Sequence, residues 1–196
     1  MEALFLFINI HMASILDRLV DQQQGQRQSP GWYRNAVASL TVQPTGNRLM
    51  RDGKLQGRPS AGRLNLYMYD PKTKEKLPYY DIFPLVLPLE TFRGGFLGLN
   101  FHYLPYGARF NLLQQLERYA SNTKFDRTTR LDVNYGNTIP FSMVKPTIKK
   151  YLWSHVRSNF LRIDAHEAAI AIYLPVQRFR KRSAQYVWSQ SRKQYG

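Results

Sequence analysis

Residues 63 to 104 carry the pattern that most narrows the choice of fold. Leu64, Leu66 and Met68 alternate with Asn65, Tyr67 and Tyr69, the period of a strand with one apolar face. Asp70-Pro71 opens a turn, decorated by Lys72, Lys74 and Lys76. Tyr79 to Leu89 reads as extended. Pro84 and Pro88 assign it to an edge or a bend, because proline gives a ladder no N–H. Gly94-Gly95 marks a hairpin, and Phe96 to Leu104 reads as the returning strand. Three or four strands bent at glycines predict a small curled β-barrel, SH3-like, rather than a flat open sheet.

Helices flank this core, which makes the class α+β. Ile15, Leu16, Leu19 and Val20 fit one face of a short helix. Ser29-Pro30 reads as an N-cap followed by proline at the first helical position, with the helix running through Trp32, Tyr33, Val37 and Leu40. Pro105 to Asn122 and Ser142 to Val156 read as helical, and Ser183 to Lys193 as a final short helix. Leu131, Val133 and Tyr135 fit a last strand, while 160–176 suits either helix or strand. The division that follows is an N-terminal helical or extended arm with a basic Gly-rich linker (1–62), an α+β core (63–176) and a basic aromatic tail (177–196). The apolar start, Met1 to Ile10, is far shorter than the ~20 residues of a spanning helix. It carries Glu2 where a secretory signal wants a cation. No membrane association is predicted, and Met12 is an alternative natural start.

The charge points to a partner. There are 28 Lys and Arg against 13 Asp and Glu, a formal charge of +15, and such a surface repels itself unless an anion offsets it. DNA, RNA and anionic lipid are the candidates. The cations are clustered. Arg48, Arg51, Lys54 and Arg58 lie in the Gly-rich segment, which suits a phosphate backbone or a solvated linker. Lys145, Lys149 and Lys150 fall in an acid-free stretch between Asp132 and Asp164. After Glu167 no acid occurs, while Arg178, Arg180, Lys181, Arg182, Arg192 and Lys193 alternate with Phe179, Tyr186, Trp188 and Tyr195. Cations mixed with aromatics suit phosphate contacts with base stacking. Docking on a neighbouring protein and an idle solvated surface are the alternatives. The cluster Tyr67, Tyr69, Tyr79 and Tyr80 fits half-buried sheet residues with a polar tip better than a contact surface.

Enzymatic signatures are missing. There is no Walker loop and no dinucleotide glycine fingerprint. No cysteine is present, and His11, His102, His155 and His166 are scattered. His166-Glu167 begins like a zinc-protease motif, but Ile170 stands where the second histidine belongs. A nuclease or packaging enzyme would need carboxylates around a divalent metal. Asp164 and Glu167, three apart, would share a helix face, or pair with Arg162 or Arg157 as ordinary ions. Asp126 and Asp132 are the other late acids. No catalytic residue, metal, cofactor or small-molecule substrate is predicted.

Two segments resemble a known family. Leu66-Tyr-Met-Tyr-Asp-Pro-Lys-Thr-Lys-Glu-Lys-Leu-Pro-Tyr-Tyr-Asp-Ile-Phe-Pro-Leu85 and Gly95-Phe-Leu-Gly-Leu-Asn-Phe-His-Tyr-Leu-Pro105 are similar to segments of DNA end protector proteins of large contractile-tailed phages. The match is strongest over residues 64 to 116. The start Ser29-Pro-Gly-Trp-Tyr-Arg34 and the end Ser183-Ala-Gln-Tyr-Val-Trp-Ser189 are similar too, and the residues before Met12 look unlike the family. The resemblance implies a virion protein made in the host cytoplasm. It would lie in the head or neck with the packaged genome, bind double-stranded DNA ends and shield them from host exonucleases. Such a protein would use phosphate contacts, which position without specifying sequence. Trp188 could then cover a terminal base pair. The rivals are a neck or baseplate connector whose tail docks on other virion proteins, the nuclease, and an RNA-associated protein.

Overall fold

The computed structural model describes residues 14–122, 124–133 and 142–196. The apolar start, His11, Met12 and Tyr135 lie outside the described residues. The fold mixes helices α1 (Ile15–Gln22), α2 (Pro30–Ala38), α3 (Gly46–Asp52), α4 (Tyr106–Glu117), α5 (Ala165–Ala171) and α6 (Ala184–Tyr195) with an antiparallel sheet. The strands are β1 (Leu55–Gln56), β2 (Leu64–Leu66), β3 (Tyr80–Asp81), β4 (Leu85–Phe92), β5 (Gly95–Asn100), β6 (Ile148–Leu152), β7 (Phe160–Ile163) and β8 (Phe179–Arg180). Six of them form one sheet in the order β1-β7-β2-β4-β5-β6, and β3 pairs with β8 apart from it.

The helix starts follow their caps. Ser14 Oγ accepts from the Asp17 N–H, and Asp17 returns the bond to the Ser14 N–H. Ser29 and Ser183 cap α2 and α6 through the N–H groups of Trp32 and Tyr186. Each such cap stabilises its helix by about 1 kcal/mol. The stretch 42–62, expected as a linker, contains α3 and β1. Thr45 caps α3, and the burial of Leu49 holds it to the core.

The β4–β5 hairpin turns at Arg93-Gly94, with Phe92 opposite Gly95. A Cβ on Gly95 would run into the Tyr151 carbonyl of β6, so this glycine permits close strand approach. Pro88 does not put its strand at an edge: β4 lies between β2 and β5. The pairing of β4 with β2 covers only Leu85 and Val86, so Pro88 lies past the end of that ladder, and the register with β5 slips just after it, between Pro88 and Glu90, which bends the strand. The segment 142–156 is not the helix that its sequence suggests. It forms short 3-10 turns at Ser142–Val144 and Trp153–His155 around strand β6. Pairing with β5 and the burial of Tyr151 outweigh local helix propensity there. The ambiguous stretch 160–176 is both: β7, then α5.

The sheet is buried on two faces. One carries Leu64, Leu66, Leu85, Leu87, Leu99, Leu161 and Ile163, and packs with α1, α2, α4 and α5. The other carries Tyr67, Tyr69, Val86, Phe96, Tyr151 and Phe160. Phe96 on β5 and Phe160 on β7 have ring centroids 6.3 Å apart. In a flat sheet those strands would stand about 14 Å apart, three steps at the usual strand spacing. The sheet therefore curls around its aromatic face. It does not close: β1 and β6 remain unpaired with each other. The α+β class expected from the sequence is seen, and among the described residues the sheet is open and curled, with no closed SH3-like barrel found. Two residues of β1 offer too little edge for closure, and the rings already fill the concavity.

The outer described segments, α1 and residues 177–196, pack on this core. Gln23, just after α1, donates through Nε2 to the His166 carbonyl of α5 (2.9 Å). Residues 177–196 form β8 and α6, with Val187 and Ser191 buried.

Candidate nucleic-acid interface

The C-terminal segment is fastened by a buried polar frame. Asp81, on β3, is 4% exposed. Its Oδ1 accepts from the N–H groups of Phe83 (3.0 Å) and Arg178 (3.1 Å). Its Oδ2 lies 2.7 Å from His102 Nδ1 and 3.4 Å from Asn100 Nδ2. Burial opposes ionisation of Asp81, but His102 and the two backbone donors pull its carboxyl below the ordinary range. Burial holds His102 neutral against the pull of Asp81. The His102 carbonyl accepts from Trp188 Nε1 at 2.8 Å, which ties α6 to this frame. Arg109, fully buried on α4, donates to the carbonyls of Leu104 (2.7 Å) and Ile172 (2.9 Å). Its guanidinium lies 4.5 Å from the centroid of Tyr106 and 5.5 Å from that of Trp188. Burial lowers its pKa to about 10, so it stays charged.

With α6 and β8 held in this way, side chains distant in sequence meet. The Arg182 guanidinium lies 5.3 Å over Tyr186, whose ring is 6.2 Å from that of Tyr79. Tyr79 is 6.0 Å from Tyr103, and the Lys149 ammonium lies 4.2 Å over Tyr103. A continuous line of cations and rings thus joins the C-terminal segment to β6. Tyr67 and Tyr69 are buried, while Tyr79 and Tyr80 are half-buried.

Strand alternation sends Lys150 the other way, with its ammonium 4.5 Å over Phe92. Phe92 lines a second cleft, of about 680 Å³, with Arg58, Arg93 and Trp153. Lys149 and Tyr103 line the first, of about 560 Å³, between β6 and the segment 71–80. Lys149 is half-buried, and burial lowers its pKa to about 8.

The remaining predicted residues are placed as follows. Arg178, Arg180, Arg192, Lys193 and Lys145 are exposed, and Arg192 and Lys193 occupy the last turn of α6, where the helix dipole favours cations. Lys181 has φ 67°, a conformation rare for a residue with a side chain. Its ammonium donates to the carbonyls of Glu75 (2.8 Å) and Leu77 (3.0 Å), stapling the 71–77 turn. Trp188 is half-buried as the anchor described above. Arg48 and Arg51 sit on α3, away from the tyrosine line in sequence.

Lys54 belongs to a different cluster. It bonds Asp164 Oδ2 (3.1 Å) and Glu167 Oε1 (2.9 Å). Arg63 and Arg162 also pair with Asp164, the latter at 3.2 Å. Asp164 and Glu167 are buried and share a capping box at the start of α5. These acids are matched by three cations and stitch β7 and α5 to the 54–63 segment. Among the described residues no group of three or more His, Asp or Glu could hold a metal ion.

The architecture is thus a basic and aromatic surface on a protein in which Asp164 and Glu167 face inward, while Asp126 is half-buried and Asp132 exposed. The model of the phage T4 terminal DNA protecting protein family matches residues 2–195. The chain belongs to that family. The match begins at residue 2, so the residues before Met12, which had looked foreign to the family, fall within its span. No curated protein and no solved structure matches the chain. The family is one of DNA-protecting proteins, which agrees with the resemblance carried by segments 66–85 and 95–105.

The cations of this surface were legible in the sequence, with Tyr186 set beside them and Tyr79 weighed as a contact residue, but their connection through Tyr103 and the place of Phe92 under Lys150 were not. Tyr103 and Phe92 gave no local signal, since their contacts come from pairing between distant strands. The frame of Asp81, His102 and Arg109 was missed for the same reason.

Proposed function

We propose that the protein caps the ends of duplex DNA in the phage particle, without reading base sequence, and shields them from host exonucleases. One observation carries this reading: Arg182, Tyr186, Tyr79, Tyr103 and Lys149 form an unbroken line of cations and rings. Cations contact phosphates of any sequence, and rings stack on any base. Among the described residues, Arg178, Arg180, Arg182, Lys149 and Lys150 make no ion pair with an acid, whereas Lys54, Arg63 and Arg162 do.

The test is binding of purified protein to linear and covalently closed DNA of equal length, across a salt series, followed by exonuclease digestion of the linear form. Tighter binding to the linear DNA that persists at moderate salt, with protection of its ends, is the expected result. Equal binding to both, vanishing with salt, would refute end recognition and favour a connector that docks on other virion proteins.

A further inference from the structure

A DNA end differs chemically from the interior in two ways. It exposes a base face, and it can carry a phosphomonoester with about −1.5 to −2 charges where interior phosphates carry one. The cleft between β6 and the segment 71–80 matches both features. Its walls include Tyr79 and Tyr103, and Lys149 projects into it with Lys72 also on the lining. Asp81 is the one acid on the lining among the described residues, and both its oxygens are committed to donors of the frame. Nothing anionic therefore answers Lys149, whose ammonium rests on the ring of Tyr103.

We propose that this cleft is the seat of the 5′-terminal nucleotide, with its phosphomonoester against Lys149 and its base against Tyr79. A half-buried ammonium is held at a cost that an incoming dianion removes, and charge-assisted bonds to phosphate are among the strong ones. The lowered pKa of Lys149 agrees with this: its only cause is burial, and no acid offsets it. Residues elsewhere on the basic surface would hold the duplex backbone, while this cleft would distinguish the end. The inference rests on the end-binding reading above.

The experiment uses three forms of one short blunt duplex: 5′-phosphorylated, 5′-hydroxyl, and closed at both ends by hairpin loops. Fluorescence anisotropy with the full-length protein reads the affinities. Binding of the phosphorylated form about tenfold tighter than the hydroxyl form is expected, roughly one charge-assisted bond's worth of discrimination. Lys149→Met should erase that preference, so that the phosphorylated and hydroxyl forms bind alike and both more weakly than the parent binds the phosphorylated form. Equal binding of phosphorylated and hydroxyl ends, with both still above the closed form, would overturn this inference and leave end binding standing. Equal binding of all three would overturn both. A second measurement needs no variant: acetylation of Lys149 by an activated ester, followed by peptide mass spectrometry. Deoxyadenosine 5′-monophosphate should slow it several-fold more than deoxyadenosine does. Equal effects of the two would overturn the assignment.

Discussion

Arg109 offers the sharpest test of how the fold is held. Its guanidinium is fully buried and meets carbonyls and rings instead of a carboxylate. Two opposing effects set the outcome of removing it. Burial lowers its pKa from the ordinary guanidinium range to about 10, so carrying the charge inside costs about 3 kcal/mol at 1.36 kcal/mol per pH unit. Against this, the Leu104 and Ile172 carbonyls would be left unpaired, at about 1–3 kcal/mol each. In Arg109→Met the stem is kept, so these terms nearly cancel, with a net loss of about 1–2 kcal/mol. Arg109→Ala also removes buried methylenes, at ~0.8 kcal/mol apiece, and opens a cavity between α4 and α6. That brings the loss to about 4 kcal/mol. At 2–4 °C per kcal/mol for a chain of this size, the Ala variant should melt about 8–16 °C lower. Urea unfolding followed by circular dichroism, with thermal melts alongside, measures both. A Met variant more stable than the parent would refute the reasoning, because the carbonyl bonds would then be worth less than the burial of the charge.

Further outcomes follow from the buried acids and the hairpin. His102 is held neutral in the fold, so between its ordinary value near 6.5 and its lower folded value the unfolded chain binds the extra proton. Stability should fall as pH drops through that window, by up to about 1.4 kcal/mol per pH unit, and Asp81 should extend the fall below about 3.9 because its folded value is also depressed. The His102→Asn variant, measured by urea midpoint against pH, should lack the first part of the slope. An unchanged slope would show that His102 titrates normally. Asp164→Asn should destabilise by about 3–5 kcal/mol, because Arg63 and Arg162 lose their buried counter-ion. Full stability in that variant would contradict a structural role for the cluster. Gly95→Ala should cost about 2 kcal/mol or more, since its methyl meets the Tyr151 carbonyl, while Gly94→Ala, whose nearest contact is Phe92 at 3.7 Å, should be almost neutral. Equal melting temperatures for the two variants would rule out the close β5–β6 approach.

How far the fold was legible depended on the range of the interaction. Local signals read correctly: the Ser29 cap, the Gly94 turn and the apolar face of α4 each involve residues within a few positions. The misreadings came where partners are remote. Ile148 to Leu152 becomes a strand only because β5 supplies its ladder. The barrel expectation was half right for a reason that sequence does not encode locally: curvature is set by rings converging from β5, β6 and β7. The candidate site behaved in the same way. The cations were visible as a charge pattern, but sequence could not separate Lys54, neutralised by Asp164 and Glu167, from Lys149, which no acid meets.

That separation explains why the acids matter as much as the cations. Asp81, Asp164 and Glu167 are buried, and each is matched by specific donors inside the fold. They hold β8, α5 and the 54–63 segment in place, and they leave the exposed cations of β6 and the C-terminal segment without acidic partners. A flexible tail with the same residues would lose conformational freedom on every phosphate contact, at roughly 0.5–1.5 kcal/mol per long side chain ordered. On β8 and α6 the backbone part of that cost is met during folding, through Asp81 to the Arg178 N–H and through Trp188 to the His102 carbonyl. A DNA terminus offers few phosphates to hold. The end-capping role proposed above would gain most from cations whose backbone is already fixed, as Asp81 fixes that of β8.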